Sequence, residues 1–251
     1  MNSVCMATFN GGRFIKDQIS SILSQIDYND ELIISDDSST DDTISIIKGF
    51  HERRIILIEN NRFLDPIKNF ENALKFARGK FIFLSDQDDI WLDHKYRDTV
   101  GLLQNYNLVI SDSIVTDEDL NTIQPSFFQF LHSGPGILKN VLKTTYYGSC
   151  MAFRQDLLQH ALPFPDTKEI GHDLWIGLVA EMTGKVHFCK NAMILYRRHG
   201  NTSTQTGIGK SKRTFFAKAR GRFIIIKHIL RFFINYKYYG KRPGFNHNAY
   251  L

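Results

Sequence analysis

Four short apolar segments, Val4-Cys5-Met6-Ala7-Thr8, Glu31-Leu32-Ile33-Ile34-Ser35, Arg54-Ile55-Ile56-Leu57-Ile58-Glu59 and Lys80-Phe81-Ile82-Phe83-Leu84-Ser85, are separated by stretches of helical periodicity. Between the first two, Phe14, Ile15, Ile19, Ile22, Leu23 and Ile26 recur at helical spacing. Between the second and third, Ile44, Ile46 and Ile47 follow Ser39 and Thr40, either of which can cap a helix. Between the third and fourth, Asp65-Pro66 reads as a cap followed by proline at the first helical position, with Ile67, Phe70, Leu74 and Phe76 on the inner face and Gly79 as the stop. Strands alternating with helices predict an α/β fold with a doubly wound, mostly parallel sheet. Such a sheet binds ligands outside the carboxyl ends of its strands. Thr8, Asn10, Asp36, Asp37, Asp86 and Asp88 all fall at such ends.

Beyond Tyr106 the pattern turns mixed. Leu108–Ser111, Ile114-Val115, Gly148–Phe153, Lys185–Phe188 and Ala192–Tyr196 read as strands, and residues 173–182 as a helix with Leu174, Ile176 and Leu178 inward. Residues 200–212, rich in Gly, Ser and Thr, read as a mobile loop, and the remainder as a basic aromatic helix or helix pair. The 251 residues therefore divide into one domain over 1–207, with a nucleotide-binding half 1–106 and an acceptor-binding half 107–207, and a basic amphipathic helical tail over 208–251.

Charge is unevenly spread. Residues 182–251 carry 15 Lys and Arg and no Asp or Glu, so the preceding part holds all 26 acids against 16 cations. A tail of that sign favours phosphates or an anionic membrane surface. Cys5, Cys150 and Cys189 form no CxxC pair, which predicts neither a zinc site nor a disulfide framework and points to a reducing compartment. The opening residues run directly into a strand without the pattern of a signal peptide, and no apolar run is long enough to span a bilayer. The expected location is cytoplasmic, peripheral on the inner face of the cell membrane.

The loop Ser85-Asp86-Gln87-Asp88-Asp89-Ile90-Trp91 gathers three carboxylates at a strand end. Like charges at close range repel, and a hard divalent cation relieves the repulsion while bridging carboxylates to phosphates. Asp89 reads instead as a cap for the next helix. In Asp36-Asp37 one carboxylate can accept from the imide N–H of a pyrimidine base while the other caps a helix. Lys68 and Arg62 can meet phosphate, although each alone reads as a solvated surface charge. Asp173, in Gly171-His172-Asp173-Leu174-Trp175, is either a general base or an N-cap, and from that feature alone the cap is favoured. His199 closes a strand and can offer nitrogen to a metal or a donor to a diphosphate, or do neither.

The segments Ala7-Thr8-Phe9-Asn10-Gly11, Ser35-Asp36-Asp37-Ser38-Ser39, Ser85-Asp86-Gln87-Asp88-Asp89-Ile90-Trp91 and His172-Asp173-Leu174-Trp175 together resemble family 2 glycosyltransferases of the GT-A fold. Within that family the chain is most similar to the bacterial rhamnosyltransferase-type enzymes of surface polysaccharide synthesis. The resemblance runs in order over about residues 3–204. It implies an inverting transferase that moves a sugar, rhamnose among the candidates, from a UDP- or dTDP-linked donor to a saccharide or lipid-linked acceptor, with Mn²⁺ or Mg²⁺ as cofactor. It further implies that Thr8, Asn10 and Asp37 surround base and ribose, and that Asp86 faces ribose and metal. Asp88 would ligate the metal, Lys68 approach the phosphates, His199 close over the diphosphate or metal, and Asp173 act as base. His172 stands where relatives often carry Glu.

Two rival readings follow from the same residues. A nucleotidyltransferase would also use a sheet, a metal and carboxylates, but the segment Asn10-Gly11-Gly12-Arg13-Phe14 is short and weakly basic for its phosphate loop. A nucleic-acid-binding role would use the tail, but the acidic front opposes it, so no nucleic-acid partner is expected.

Overall fold

The computed structural model describes residues 1–200 and 213–239. The predicted mobile loop beyond Gly200 and the last residues of the tail lie outside them. The strands are β1 (Ser3–Thr8), β2 (Glu31–Asp36), β3 (Ile55–Ile58), β4 (Phe81–Ser85), β5 (Ile90–Trp91), β6 (Leu108–Thr116), β7 (Thr122–Gln124), β8 (Met151–Arg154) and β9 (Val186–Arg197). The helices are α1 (Ile15–Leu23), α2 (Thr43–Gly49), α3 (Pro66–Phe76), α4 (Lys95–Leu102), α5 (Phe127–Leu131), α6 (Ile137–Leu142), α7 (Gln155–Ala161), α8 (His172–Thr183) and α9 (Phe215–Tyr239).

The sheet runs β3-β2-β1-β4-β8-β6-β9-β5, with β7 on the far part of β6. The four leading strands are parallel, which is the predicted doubly wound half. The second half is mixed: β8 is antiparallel to both β4 and β6, β9 is parallel to β6, and β5 is antiparallel to β9. Alternation along the strands sends Val4, Met6, Leu32, Ile34, Phe81 and Phe83 to the layer of α1 and α4, and Cys5, Ile33, Ile82 and Leu84 to the opposite layer with α3 and α8. The parallel strands are buried on both faces, so they read as unbroken apolar runs.

Several boundaries differ from the sequence reading. The two expected strands at 108–115 are one strand, β6, and those at 185–196 are one strand, β9. Register shifts at Ser111/Asp112 and Asp112/Ile114 broke the alternation that would have joined them. The helix after β2 starts at Thr43, not at Ser39 or Thr40. Ser39 is consumed by Asp36, which accepts from its N–H and hydroxyl, while Thr40 donates its N–H to Asn10. Asp65 caps α3 as expected, its Oδ1 accepting from Ile67 N at 2.8 Å. That helix ends at Phe76 rather than at Gly79, whose role is close approach: a Cβ there would lie 2.3 Å from Ser3 N. In α8, Leu174, Ile176 and Leu178 are buried as predicted.

The described part of the tail is a single helix. Its Ile225, Ile229 and Phe232 pack on the domain core, with Phe232 and His228 edge-on to Trp175 at 5.8 and 6.4 Å. Phe215, Phe223, Ile226, Leu230 and Phe233 lie on a face that is exposed among the described residues. Among the described residues no helix is long and apolar enough to cross a membrane.

Candidate active site

The parallel strands β1, β2 and β4 point their carboxyl ends to one edge, where three loops are stitched together. Gln87, between the two outer carboxylates of the acidic loop, reaches across to the end of β1. Its Oε1 accepts from Thr8 Oγ1 at 2.5 Å and from Phe9 N at 2.9 Å, and its Nε2 donates to Phe9 O at 3.1 Å. A Cβ on Gly11 would fall 2.3 Å from that Oε1, so the crossing requires glycine there. Asn10, at φ 48°, accepts from Thr40 N at 2.8 Å and donates its own N–H to Ser39 Oγ, which ties the β1 loop to the β2 loop. Asn69 on α3 donates to Thr8 O at 3.1 Å from beneath.

Asp37 is buried, and its two oxygens accept from Phe63 N at 2.6 Å and Asp65 N at 3.2 Å. It therefore shapes the segment that leads into α3, and its remaining lone pairs are what a base could use. Asp36 is turned into its own Ser39 turn. Lys68 stands exposed on the first turn of α3.

The acidic loop splits by burial. Asp89 is fully buried and does not cap a helix, correcting the sequence reading: α4 begins only at Lys95, and Asp89 Oδ1 accepts from Arg197 N at 3.1 Å. That bond fastens the loop to the end of β9. Asp88 faces His199, with Nε2 to Oδ2 at 2.8 Å. The imidazole also lies against Phe14, ring centroids 4.8 Å apart, and the Arg197 guanidinium sits 4.5 Å from the same ring. The Asp86 carboxyl is pushed up to about 7 by burial first, then by the neighbouring charges of Asp88 and Asp173.

That last neighbour matters, because Asp173 is far from the acidic loop in the chain and arrives on α8. It is not the cap of that helix. Gly171 holds that position, and Asp173 sits inside the first turn with Oδ1 accepting from Leu174 N at 2.7 Å. Its charge, with Arg198, bears on the buried Tyr147 hydroxyl, whose pKa is raised mainly by burial. His172 turns the other way. Its ring stacks on Phe70 at 4.1 Å, burial pulls its pKa down, and among the described residues its Nε2 has no hydrogen-bond partner.

Asp86, Asp88, Asp173 and His199 are thus brought to one edge, with Thr8 and Asn10 beside them. Sequence reasoning missed Gln87, Asn69 and Tyr147. For the first, the signal was available, since an amide between two acids at a strand end has few other uses. Among the described residues no three His, Cys, Asp or Glu side chains already stand as a ready ligand set for an ion.

The sequence profile of Glycosyl transferase family 2 matches residues 3–162. The chain is a member of glycosyltransferase family 2. Its fold is GT-A. The UDP-Glc:alpha-D-GlcNAc-diphosphoundecaprenol beta-1,3-glucosyltransferase WfaP of Escherichia coli is 37% identical over 111 residues, 44% of each protein. The dTDP-rhamnosyl transferase RfbG of Shigella flexneri is 28% identical over 222 residues, 81% of this chain and 74% of that one. Less than half the length of the E. coli glucosyltransferases is matched by this family 2 chain. Among solved structures, S. aureus TarS 1-349 in complex with UDP-GlcNAc superposes with a TM-score of 0.66 at 19% identity, over 96% of this chain and 74% of that one. The Pyrobaculum calidifontis mannosyltransferase PcManGT, in complex with GDP-Man and Mn²⁺, gives 0.59 at 19% identity, over 80% and 57%. At that identity both likenesses speak for the fold alone.

Proposed function

We propose that this protein is a metal-dependent inverting glycosyltransferase of cell-surface polysaccharide synthesis, taking a UDP- or dTDP-linked sugar to a saccharide or lipid-linked acceptor. The observation that carries the reading is the acidic loop after β4, where Asp88 meets His199 from just past the end of β9 and the charge of Asp173 on α8 bears on Asp86. The names of WfaP and RfbG support donors of these two nucleotide types, and that of WfaP supports a lipid-linked acceptor. RfbG supports rhamnose as the sugar to test first.

The residues fit a hard divalent ion by their chemistry. Two neighbouring carboxylates whose like charges repel, with an imidazole nitrogen already on one of them, make a mainly oxygen donor set of the kind Mn²⁺ or Mg²⁺ takes. Asp86, Asp88 and His199 would hold the ion. When bound, it supplies charge neutralisation for the leaving nucleoside diphosphate.

The chain's own residues do the rest. Thr8, Asn10 and Asp37 border the place of the base and ribose, and Lys68, at the N-terminal turn of α3, faces the phosphates. Asp173 accepts the proton of the acceptor hydroxyl as that oxygen attacks the anomeric carbon. The C–O bond to the new sugar forms as the bond to the diphosphate breaks, in one displacement that inverts the configuration. The transition state is oxocarbenium-like, so carboxylates near it favour it. In this reading residues 1–106 bind donor, 107–207 receive acceptor, and the tail 208–251 keeps a cytoplasmic enzyme at the membrane face where a lipid-linked acceptor is met.

A donor panel tests it: UDP- and dTDP-sugars with Mn²⁺ or Mg²⁺, following slow hydrolysis without acceptor. Release of nucleoside diphosphate supports the reading. Release of pyrophosphate from nucleoside triphosphate and sugar phosphate would make the protein a nucleotidyltransferase instead.

A further inference from the structure

Helix α9 has two apolar faces, and among the described residues only one is packed. Ile225, Ile229 and Phe232 face the domain. Rotated away from them, Phe216, Phe223, Ile226, Leu230 and Ile234 form a second stripe that is exposed, Phe223 by 70% and Leu230 by 56%. Phe223, Ile226, Leu230 and Ile234, with Lys227 and Arg231, line an open groove of about 380 Å³. Helical spacing sets Arg220, Lys227 and Arg231 along one border of it and Arg222 along the other. No acid occurs anywhere after Glu181. The helix is pinned in this orientation by Arg213 to Glu169 at 2.6 Å and by Arg222 Nη2 to Leu142 O at 3.0 Å. The second contact extends the stripe, because α6 brings exposed Leu138 and Leu142 with Lys139 and Lys143 alongside.

We infer that this open face, α9 with the edge of α6, docks on an anionic phospholipid bilayer with the helix lying in the plane of the interface. Large apolar side chains bordered on both sides by cations, with no acid among them, match a surface of acyl chains beneath anionic headgroups. A protein partner would need no such uniform sign. The pinning contacts make the docked face part of the folded domain, so the bilayer meets the protein on the side of the acceptor half. The inference deepens and rests on the proposed membrane role of the tail; it is argued from the surface of α9 and α6 and is independent of the active site.

The experiment is co-sedimentation of the full chain with vesicles of phosphatidylcholine alone and of equal parts phosphatidylcholine and phosphatidylglycerol. Binding to the anionic vesicles, reduced by salt, is expected. Phe223→Glu with Leu230→Glu should lower it by about tenfold or more, since burying even one such side chain is worth a partition of that size. Lys227→Glu with Arg231→Glu should lower it on anionic vesicles only. Both double variants should keep the melting temperature and the rate of donor hydrolysis measured without vesicles. No vesicle binding by the full chain, or binding indifferent to these substitutions, overturns the inference. A dimer in solution that the Phe223/Leu230 variant dissolves, without vesicle binding, assigns the face to a second copy and overturns it too. Donor hydrolysis is read separately, so loss of the glycosyltransferase reading leaves the vesicle result standing.

Discussion

His199 Nε2 lies 2.8 Å from Asp88 Oδ2, although 111 residues separate them in the chain. The bond closes the acidic loop from the side of β9, and on the proposed reading it sets His199 beside the metal–diphosphate pair.

From that pairing, UDP or dTDP should raise the melting temperature more with Mn²⁺ than with chelator, because a ligand that binds only the native state stabilises it. Asp88→Ala should abolish the increment brought by the metal. His199→Gln should weaken the metal affinity by about tenfold, the scale of losing one supporting group at a metal, and so shrink the increment. A nucleotide effect indifferent to chelator and to Asp88→Ala would refute the metal assignment.

Asp173→Asn should lower turnover by about a hundredfold or more while donor Kd and melting temperature stay as they were. The structure sharpens this expectation. Gly171 is the cap of α8, and an Asn at 173 retains an oxygen for Leu174 N. A loss of stability equal to the loss of rate would return Asp173 to a structural role.

Gln87→Ala removes three hydrogen bonds between the acidic loop and the end of β1 and strands the buried Thr8 hydroxyl. At about 1 kcal/mol net for each bond, the cost should reach a few kcal/mol. Each kcal/mol corresponds to about 2–4 °C for a chain of this size, so calorimetry should find the melting temperature down by roughly 5–10 °C. Donor KM should rise with it, and an unchanged KM would show that the bridge shapes nothing the donor touches.

Lys95 is fully buried, its Nζ 3.5 Å from Ser149 O and 5.1 Å from the centre of the Trp91 ring. Burial pushes its pKa down from 10.5 to about 8. Between those values the unfolded chain holds a proton that the folded chain has released, so stability from this group rises with pH across that window. Below it both states are charged, and the penalty is constant. Compared with Lys95→Met, the wild type should therefore gain on the order of 2 kcal/mol between about pH 7 and about pH 10. Urea midpoints of the two proteins measured across the range would test it, and parallel curves would count against it.

Residues 1–106 were legible in the sequence because β1, β2 and β4 are buried on both faces and end in polar residues, so period and punctuation agree. Asp65-Pro66 named its helix correctly for the same local reason. Residues 117–147 were not legible: β7, α5 and α6 are three to six residues long, too short for a period to show. The strand β9 looked like two because its bulge against β6 resets the alternation. The proposed roles of Asp86, Asp88 and Asp173 came from motif, while Asp89 was misread as a cap. A carboxylate near a helix suggests a cap, and only the tertiary fold reveals that the N–H of Arg197 is what claims it. Tyr147 and Asn69 gave no local signal, since their positions are set by partners far away in the chain.

Strand β5 pairs with no strand but β9 among the described residues. The acidic loop leads straight into β5, and Asp89 and Asp88 are both held by residues at or just past the end of β9. On a ribosome, the loop leaves the tunnel about a hundred residues ahead of the strand that fastens it. A nascent chain can complete β1 to β4 and still hold no ordered carboxylate cluster, because pairing over that distance is among the late events of folding. On the proposed reading, the capacity to bind nucleotide would arise only when nearly all of the domain has been made, and a chain broken off before β9 would fold in part without competing for donor.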